Sequence, residues 1–402
     1  MSRFEPNLIV GGSSRRWIFG AARFESRAAL PGNRNRQGRI IAARAFGAFI
    51  GVALLIAAAH TSNAAAQPDP SLEIYGRAQQ LVDIGGRRLN LFCLGHGSPT
   101  VILSGGLGAS SFEWRKVHTE LAKKTRACAY DRAGYGFSDP GPLPRDTRHL
   151  AEDLAALTKA AALPPPYVLV GASLGGMIVR LYADTHLRDV AGMVLVDPET
   201  EHEAERLSPV SPSFLPKIKA NIEALRTCLA ALEAGVPAPG SKAAADCVVK
   251  PNPEFPAAVN GHFMQLTSHA PLYRESLSEA EEAIGAGSDQ VAASKRSYGD
   301  IPLVVLTAPA SDQPTPNGPD PEFLARGKIV MAMHDETARL SSRGVNRAVP
   351  GASHRIMLSV PQAVIEAVDE VVTEVRQKRT ADVRRKLHSA EPAPQNTRDR
   401  RT

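Results

Sequence analysis

Ser173 stands in Gly171-Ala172-Ser173-Leu174-Gly175, a G-x-S-x-G pattern in which glycines flank a hydroxyl. The pattern suits a nucleophile elbow, a sharp strand-to-helix turn that strains the serine backbone. Gly171 and Gly175 supply the small neighbours such a turn needs. The setting agrees. Tyr167-Val168-Leu169-Val170 reads as a buried strand, and Met177, Ile178, Leu181 and Tyr182 follow at helical spacing. A helix starting beneath Ser173 would turn its unpaired N–H groups toward a developing negative charge. The chemistry implied is nucleophilic attack on a carbonyl.

Such a serine needs a base within hydrogen-bond reach. Of the 11 histidines, His354 alone follows a strand at the expected sheet edge, in Val349-Pro350-Gly351-Ala352-Ser353-His354, with a helix from Pro361 behind it. His262, His269 and His334 fall in or near helical, peripheral segments, and His96 in a glycine-rich hairpin. These read as surface or packing residues. A tetrahedral oxyanion needs two preorganised N–H donors. Leu174, just after the nucleophile, would give one. Ser104-Gly105-Gly106-Leu107-Gly108 would give the other, through the Leu107 amide or, as a fallback, Gly106. Without a catalytic Ser173 the same loop would be a plain glycine-rich turn.

The elements that position these groups follow from the apolar pattern. Strands are predicted at 79–84, 87–94, 100–104, 126–130, 167–170, 190–196, 301–307 and 345–350. Helical stretches such as 111–124, 148–162, 174–186 and 361–376 lie between them. The core strands are continuous apolar runs, so both faces must be covered, as in a doubly wound, mostly parallel α/β sheet. Residues 199–299 break the rhythm, being rich in Glu, Ala and Pro, with helical segments near 216–234 and 275–296. A hundred residues are too many for a structureless loop, so this is a helical insertion. The organisation expected is an N-terminal extension with a signal peptide (1–66), a core in two parts (67–198 and 300–375), the insertion (199–299), and a basic, disordered tail (376–402). No 20–50-residue period marks a solenoid or propeller.

Taken together, the elbow at 171–175, Gly105-Gly106, Asp131-Arg132-Ala133-Gly134-Tyr135-Gly136-Phe137-Ser138 and the loop ending in His354 resemble the α/β-hydrolase superfamily over roughly residues 77–375. The resemblance implies eight strands in the order 1-2-4-3-5-6-7-8, a helical lid over the active site, and a chain order of Ser, acid, His. Esterases, lipases, thioesterases, lactonases, C–C hydrolases and perhydrolases share that plan. A Ser at 173, where epoxide hydrolases and dehalogenases have Asp, argues against their chemistry. Gly105 stands where many relatives have His, which leaves the oxyanion donor open between Leu107 and Gly106. The acid is open too. Asp197, in Leu195-Val196-Asp197-Pro198, sits where lipase-like members place theirs, and Asp312 follows strand seven, the more usual site. Asp197 is preferred because the Asp312 loop has an extra residue and is followed by Gln313-Pro314-Thr315-Pro316; Glu201 and Glu203 are further candidates.

Four cysteines, at 93, 128, 228 and 247, contain no C-x-x-C and so form no compact metal site. Two bridges would have three pairings. The strand order that the resemblance implies makes Cys93 and Cys128 neighbours, leaving Cys228 to pair with Cys247 in the lid; four free buried thiols are the alternative.

Charge divides the chain in three. Residues 1–66 carry nine Arg against Glu5 and Glu25, and residues 376–402 nine Lys or Arg against three acids. The body between them is therefore acidic despite the overall +6, so nucleic-acid binding is not expected. Arg34, Arg36, Arg39 and Arg44 precede an apolar run at 45–59, and Ala64-Ala65-Ala66 offers a cleavage site before Gln67. These are the parts of a secretory signal, and the run is too short to span a bilayer. The mature protein would be exported to the periplasm or beyond, with no stable membrane span; an uncleaved N-terminal anchor is the alternative. The reading is thus an exported serine hydrolase acting on a small ester-type substrate, with no metal and no cofactor. A perhydrolase or C–C hydrolase using the same triad is the enzymatic alternative, and a non-catalytic binding protein of the same fold the other.

Overall fold

The computed structural model describes residues 67–294, 297–309 and 320–389. Its sheet has strands β1 Gln80–Asp83, β2 Arg88–Leu94, β3 Thr100–Ser104, β4 Ala127–Tyr130, β5 Tyr167–Ala172, β6 Val190–Val196, β7 Leu303–Thr307 and β8 Gly344–Ala348. They lie in the order β1-β2-β4-β3-β5-β6-β7-β8. β2 runs antiparallel to both β1 and β4, and every later pairing is parallel. Order and strand positions follow the sequence expectation to within a residue or two. This is the α/β-hydrolase fold.

The continuous apolar runs are explained by two covered faces. Leu169, Met193, Leu195, Leu303 and Val305 pack with helices α2 and α3. Val168, Val170, Val194, Val196, Val304 and Leu306 face the opposite way, onto α1 and α12. These helices are α1 His118–Ala122, α2 Thr147–Ala160, α3 Leu174–His186 and α12 Pro361–Ser389. Each such buried aliphatic side chain contributes about 1.5–3 kcal/mol, so the two faces hold the site's scaffold rigid. The Asp146 carboxylate caps α2 by accepting from the His149 N–H, which fixes where that helix starts.

Between β6 and β7 the chain forms α4 Glu203–Leu207, α5 Phe214–Glu233, α6 Lys242–Cys247, α7 Ala257–Thr267, α8 Ala270–Ala283 and α9 Ala286–Ser294. The single helix predicted near 275–296 is two, broken at Ile284-Gly285, where glycine disfavours continuation. Ile222, Leu225, Val259, Phe263 and Leu272 of this insertion share a separate core with Tyr75, Phe92 and Phe112. Its aromatic pairs meet edge to face, with Phe112 5.1 Å from Phe255 and 5.2 Å from Phe263.

After β7, α10 Pro321–Ala338 packs on β7 and β8, and α11 Ile356–Ser359 leads into α12. Three expectations change here. The 111–124 helix is a 3-10 turn, Ser111–Trp114, followed by the short α1. The tail, expected to be structureless from residue 376, is helical through Ser389, and at its start Arg376 donates to the Ser98 and Lys124 carbonyls and ties α12 to the core. His334 is not peripheral but 1% exposed. The expected signal region and residues 390–402 lie outside the described residues.

Cys93 and Cys128 face each other across the β2–β4 ladder, with sulfurs 2.07 Å apart. Cys228 of α5 and Cys247 of α6 are likewise joined within the insertion, at 2.02 Å. Both pairs are disulfide-compatible.

Candidate active site

Ser173 lies between β5 and α3 with φ 50° and ψ −123°, a region that non-glycine residues seldom occupy. The turn is held from several sides. The Ser173 N–H donates to the Val196 carbonyl (3.3 Å), and its carbonyl accepts from Gly176 (2.8 Å) and Glu199 (3.0 Å). A side chain at Gly175 would lie 2.2 Å from the Ser104 carbonyl oxygen, so only glycine lets α3 begin this close to β3.

Asp197 follows β6, also with positive φ (43°), and its N–H donates to the Leu306 carbonyl at 2.7 Å. Its Oδ1 accepts from the Ala308 N–H (2.9 Å), and its Oδ2 lies 2.7 Å from His354 Nδ1. Behind it, His334 bridges the Pro198 carbonyl (Nε2, 2.9 Å) and the Thr307 hydroxyl (Nδ1, 2.7 Å), tying the loop that carries Asp197 to β7. Burial holds the His334 pKa below the usual histidine value. That is a structural role no local pattern announces. Asp312 lies outside the described residues. Glu201 pairs with Arg180 at 2.7 Å, and Glu203 accepts from the Thr200 N–H at 3.2 Å.

His354 borders the cavity in front of Ser173, and 55% of its side chain is exposed. Burial opposes its charge, but the bond to Asp197 and that carboxylate's field outweigh it and raise the imidazole pKa. Glu203 and Glu113 add to the effect. Glu199, in the same cavity, is pushed up to about 8, first by burial and then by its neighbour Glu203.

The glycine-rich loop after β3 lies against the serine. A Cβ at Gly106 would sit 3.2 Å from Ser173 Cβ and 3.8 Å from its Oγ. The Gly106 N–H, however, donates to Glu113 Oε2 at 3.0 Å. The fallback donor is therefore already engaged. The Leu107 N–H donates to no described residue. Glu113 and its partner Arg355 (Nε–Oε1 3.4 Å) were not singled out from the sequence; the one available hint is a glutamate between Phe112 and Trp114 in an otherwise apolar turn.

Ser173, Asp197, His354, Gly106 and Leu107 all border one cavity of about 580 Å³. That is ample for a small organic molecule. One wall is apolar, from Phe112, Ile222, Phe263, Leu266, Ala283 and Ile284. Near Asp197 and Glu203 stands Arg326, which stacks over Phe323 at 4.7 Å. Among the described residues, no group of three or more His, Cys, Asp or Glu is arranged to hold a metal ion.

Comparison with known proteins points the same way. Residues 92–367 match the Alpha/beta hydrolase family. An uncharacterized Bacillus subtilis protein, YqjL, is 35% identical over 104 residues, 26% of this chain and 41% of its own. The chain thus spans well under two thirds of the curated relatives it matches. Among solved structures, a lipase candidate from Acinetobacter baumannii aligns with a TM-score of 0.54 at 18% identity, over 77% of this chain and 95% of its own. The epoxide hydrolase CorEH aligns at 0.50 and 17%, over 74% and 98%. At such identities the likeness is one of fold.

Proposed function

Because the chain belongs to the alpha/beta hydrolase family, we propose that it is a serine hydrolase cleaving ester-type bonds in small molecules through an acyl-enzyme on Ser173. The observation that carries this reading is the Asp197–His354 hydrogen bond of 2.7 Å, opening on the cavity that Ser173 also borders. His354 takes the Ser173 proton as Oγ attacks the carbonyl carbon. The Leu174 and Leu107 amides hold the oxyanion. Its collapse expels the alcohol, which takes the proton from His354. Water, deprotonated by the same imidazole, then attacks the acyl-enzyme and releases the acid. The half-buried Asp197 keeps the imidazole proton on Nδ1, leaving Nε2 free to act as the base.

The apolar wall, supplied by Phe112 and by the insertion, suits an aliphatic acyl chain. Across p-nitrophenyl esters, kcat/KM is expected to climb from acetate to longer chains until the cavity is full. A fluorophosphonate probe should label Ser173 stoichiometrically. Absence of both labelling and turnover would point to a binding protein on the same fold.

The same reading places the mature protein outside the cytoplasm. Its support is the Arg-flanked apolar run at 45–59 with Ala64-Ala65-Ala66 behind it, and two cysteine pairs that would persist in an oxidising compartment. No helix among the described residues is long and apolar enough to cross a membrane. Sequencing the N-terminus of protein from the producing cell should begin near Gln67. An intact N-terminus on membrane-bound protein would favour an anchor instead.

A further inference from the structure

We propose that Glu279, on helix α8 of the insertion, is a positioning residue that aims the Leu107 amide at the reacting carbonyl, acting through Arg132. The proposal rests on the reading of Ser173 as nucleophile. Arg132 and Glu279 are almost wholly buried, their side chains 3% and 0% exposed. The guanidinium Nε and Nη2 each donate to the Glu279 carboxylate at 2.8 Å. Its remaining reach goes to the oxyanion loop, with Nη1 on the Gly105 carbonyl (2.7 Å) and Nη2 on the Gly106 carbonyl (2.8 Å). The Tyr135 hydroxyl donates to Glu279 Oε2 at 2.8 Å, completing the carboxylate's shell of donors.

A trans peptide points its C=O and the following N–H in opposite directions. Holding the Gly105 carbonyl on Arg132 therefore sends the Gly106 N–H the other way, where it meets Glu113. Holding the Gly106 carbonyl on the same guanidinium sends the Leu107 N–H away from Arg132. Gly106 already lies against Ser173, and Leu107 borders the cavity. Arg132 alone could not do this, because an unpaired guanidinium would not stay buried. Its counter-charge comes from the insertion rather than the core. A second tie repeats the arrangement, since Glu275, one helical turn earlier, accepts from the Gly141 N–H (2.9 Å) and lies 3.2 Å from Arg145 Nε. The docked position of α8 thus sets the geometry of the oxyanion loop. The insertion would be part of the catalytic apparatus, not only a roof over it.

The test compares wild type with Glu279→Gln and with the double variant Arg132→Met/Glu279→Leu. The double variant removes the clamp without stranding a buried charge, so it keeps the test alive if the single variant fails to fold. Rates are taken per active site, titrated by phosphonate labelling, so loss of folded protein cannot mimic loss of positioning. Per titrated site, the double variant should lose roughly 10²-fold in kcat, the scale of one oxyanion donor, with KM within about twofold. Glu279→Gln should lose less, in the same direction, because its N–H₂ group now faces Arg132. Affinity for a trifluoromethyl ketone, which binds as an oxyanion adduct, should fall in parallel with kcat/KM. Affinity for a ground-state amide analogue should not. Unchanged kcat per site in either folded variant overturns the proposal, as does a loss confined to KM. Failure of wild type itself to label at Ser173 would instead overturn the nucleophile assignment.

Discussion

Ser173→Ala should abolish turnover, with kcat falling by something on the order of 10⁶, the scale measured when a serine nucleophile is removed from a comparable triad. The fold should survive. Alanine keeps the Cβ that already fits beside Gly106, and the positive-φ turn at 173 is held by backbone bonds to Val196, Gly176 and Glu199 rather than by the hydroxyl. Phosphonate labelling should vanish with activity, while the thermal transition and near-UV circular dichroism stay as in wild type. Labelling that persisted in the alanine variant would place the nucleophile elsewhere. Any residual hydrolysis would reflect binding and the oxyanion amides, which work without the serine.

The parts of the site that were legible in the sequence are those with a local signature. The elbow announces itself because a strained turn demands Gly171 and Gly175 at fixed offsets from Ser173. The sheet does so because Val168-Leu169-Val170 and Met193-Val194-Leu195-Val196 must feed both faces at once. The parts that were not legible are long-range. Glu113 reaches the Gly106 N–H from the turn after the loop, and Glu279 meets Arg132 from 147 positions away. Arg132 itself lay inside the motif that carried the family resemblance, but its partners depend on how α8 docks. His334 looked like one more helical histidine because the carbonyl it meets, that of Pro198, is 136 positions distant. Helix α12 outran its apolar stripe for a similar reason. Just past Val375 it is held by contacts such as Lys378 to Asp300, not by burial. The acid was the hardest case, since Asp197 and Asp312 each follow a predicted strand and no local pattern says which of them would orient His354.

Asp197→Asn should therefore be the second crippling change, costing up to ~10⁴ in kcat, and its hydrogen bonds say why. Asp197 Oδ1 accepts from the Ala308 N–H at 2.9 Å, so the asparagine carbonyl oxygen will take that place. The amide nitrogen is then left facing His354 Nδ1, where Oδ2 had stood at 2.7 Å. Two N–H donors cannot bond each other, so Nδ1 must give up its proton and become the acceptor. The proton moves to Nε2, the atom that has to receive one from Ser173. The base is blocked without any change of shape. A pH profile separates this effect from simple misfolding. In wild type the Asp197 bond and charge outweigh burial and raise the His354 pKa above its ordinary 6.5. The base works only when neutral, so the acid limb of kcat/KM should lie above 6.5 and activity should fall as pH drops through it. With asparagine the carboxylate's pull is gone and burial acts with less opposition, so whatever activity remains should hold to lower pH. Asp312→Asn is the matched control. Should that variant prove the crippled one while Asp197→Asn keeps both its rate and its acid limb, the acid is Asp312 and the hydrogen bond at Asp197 is structural.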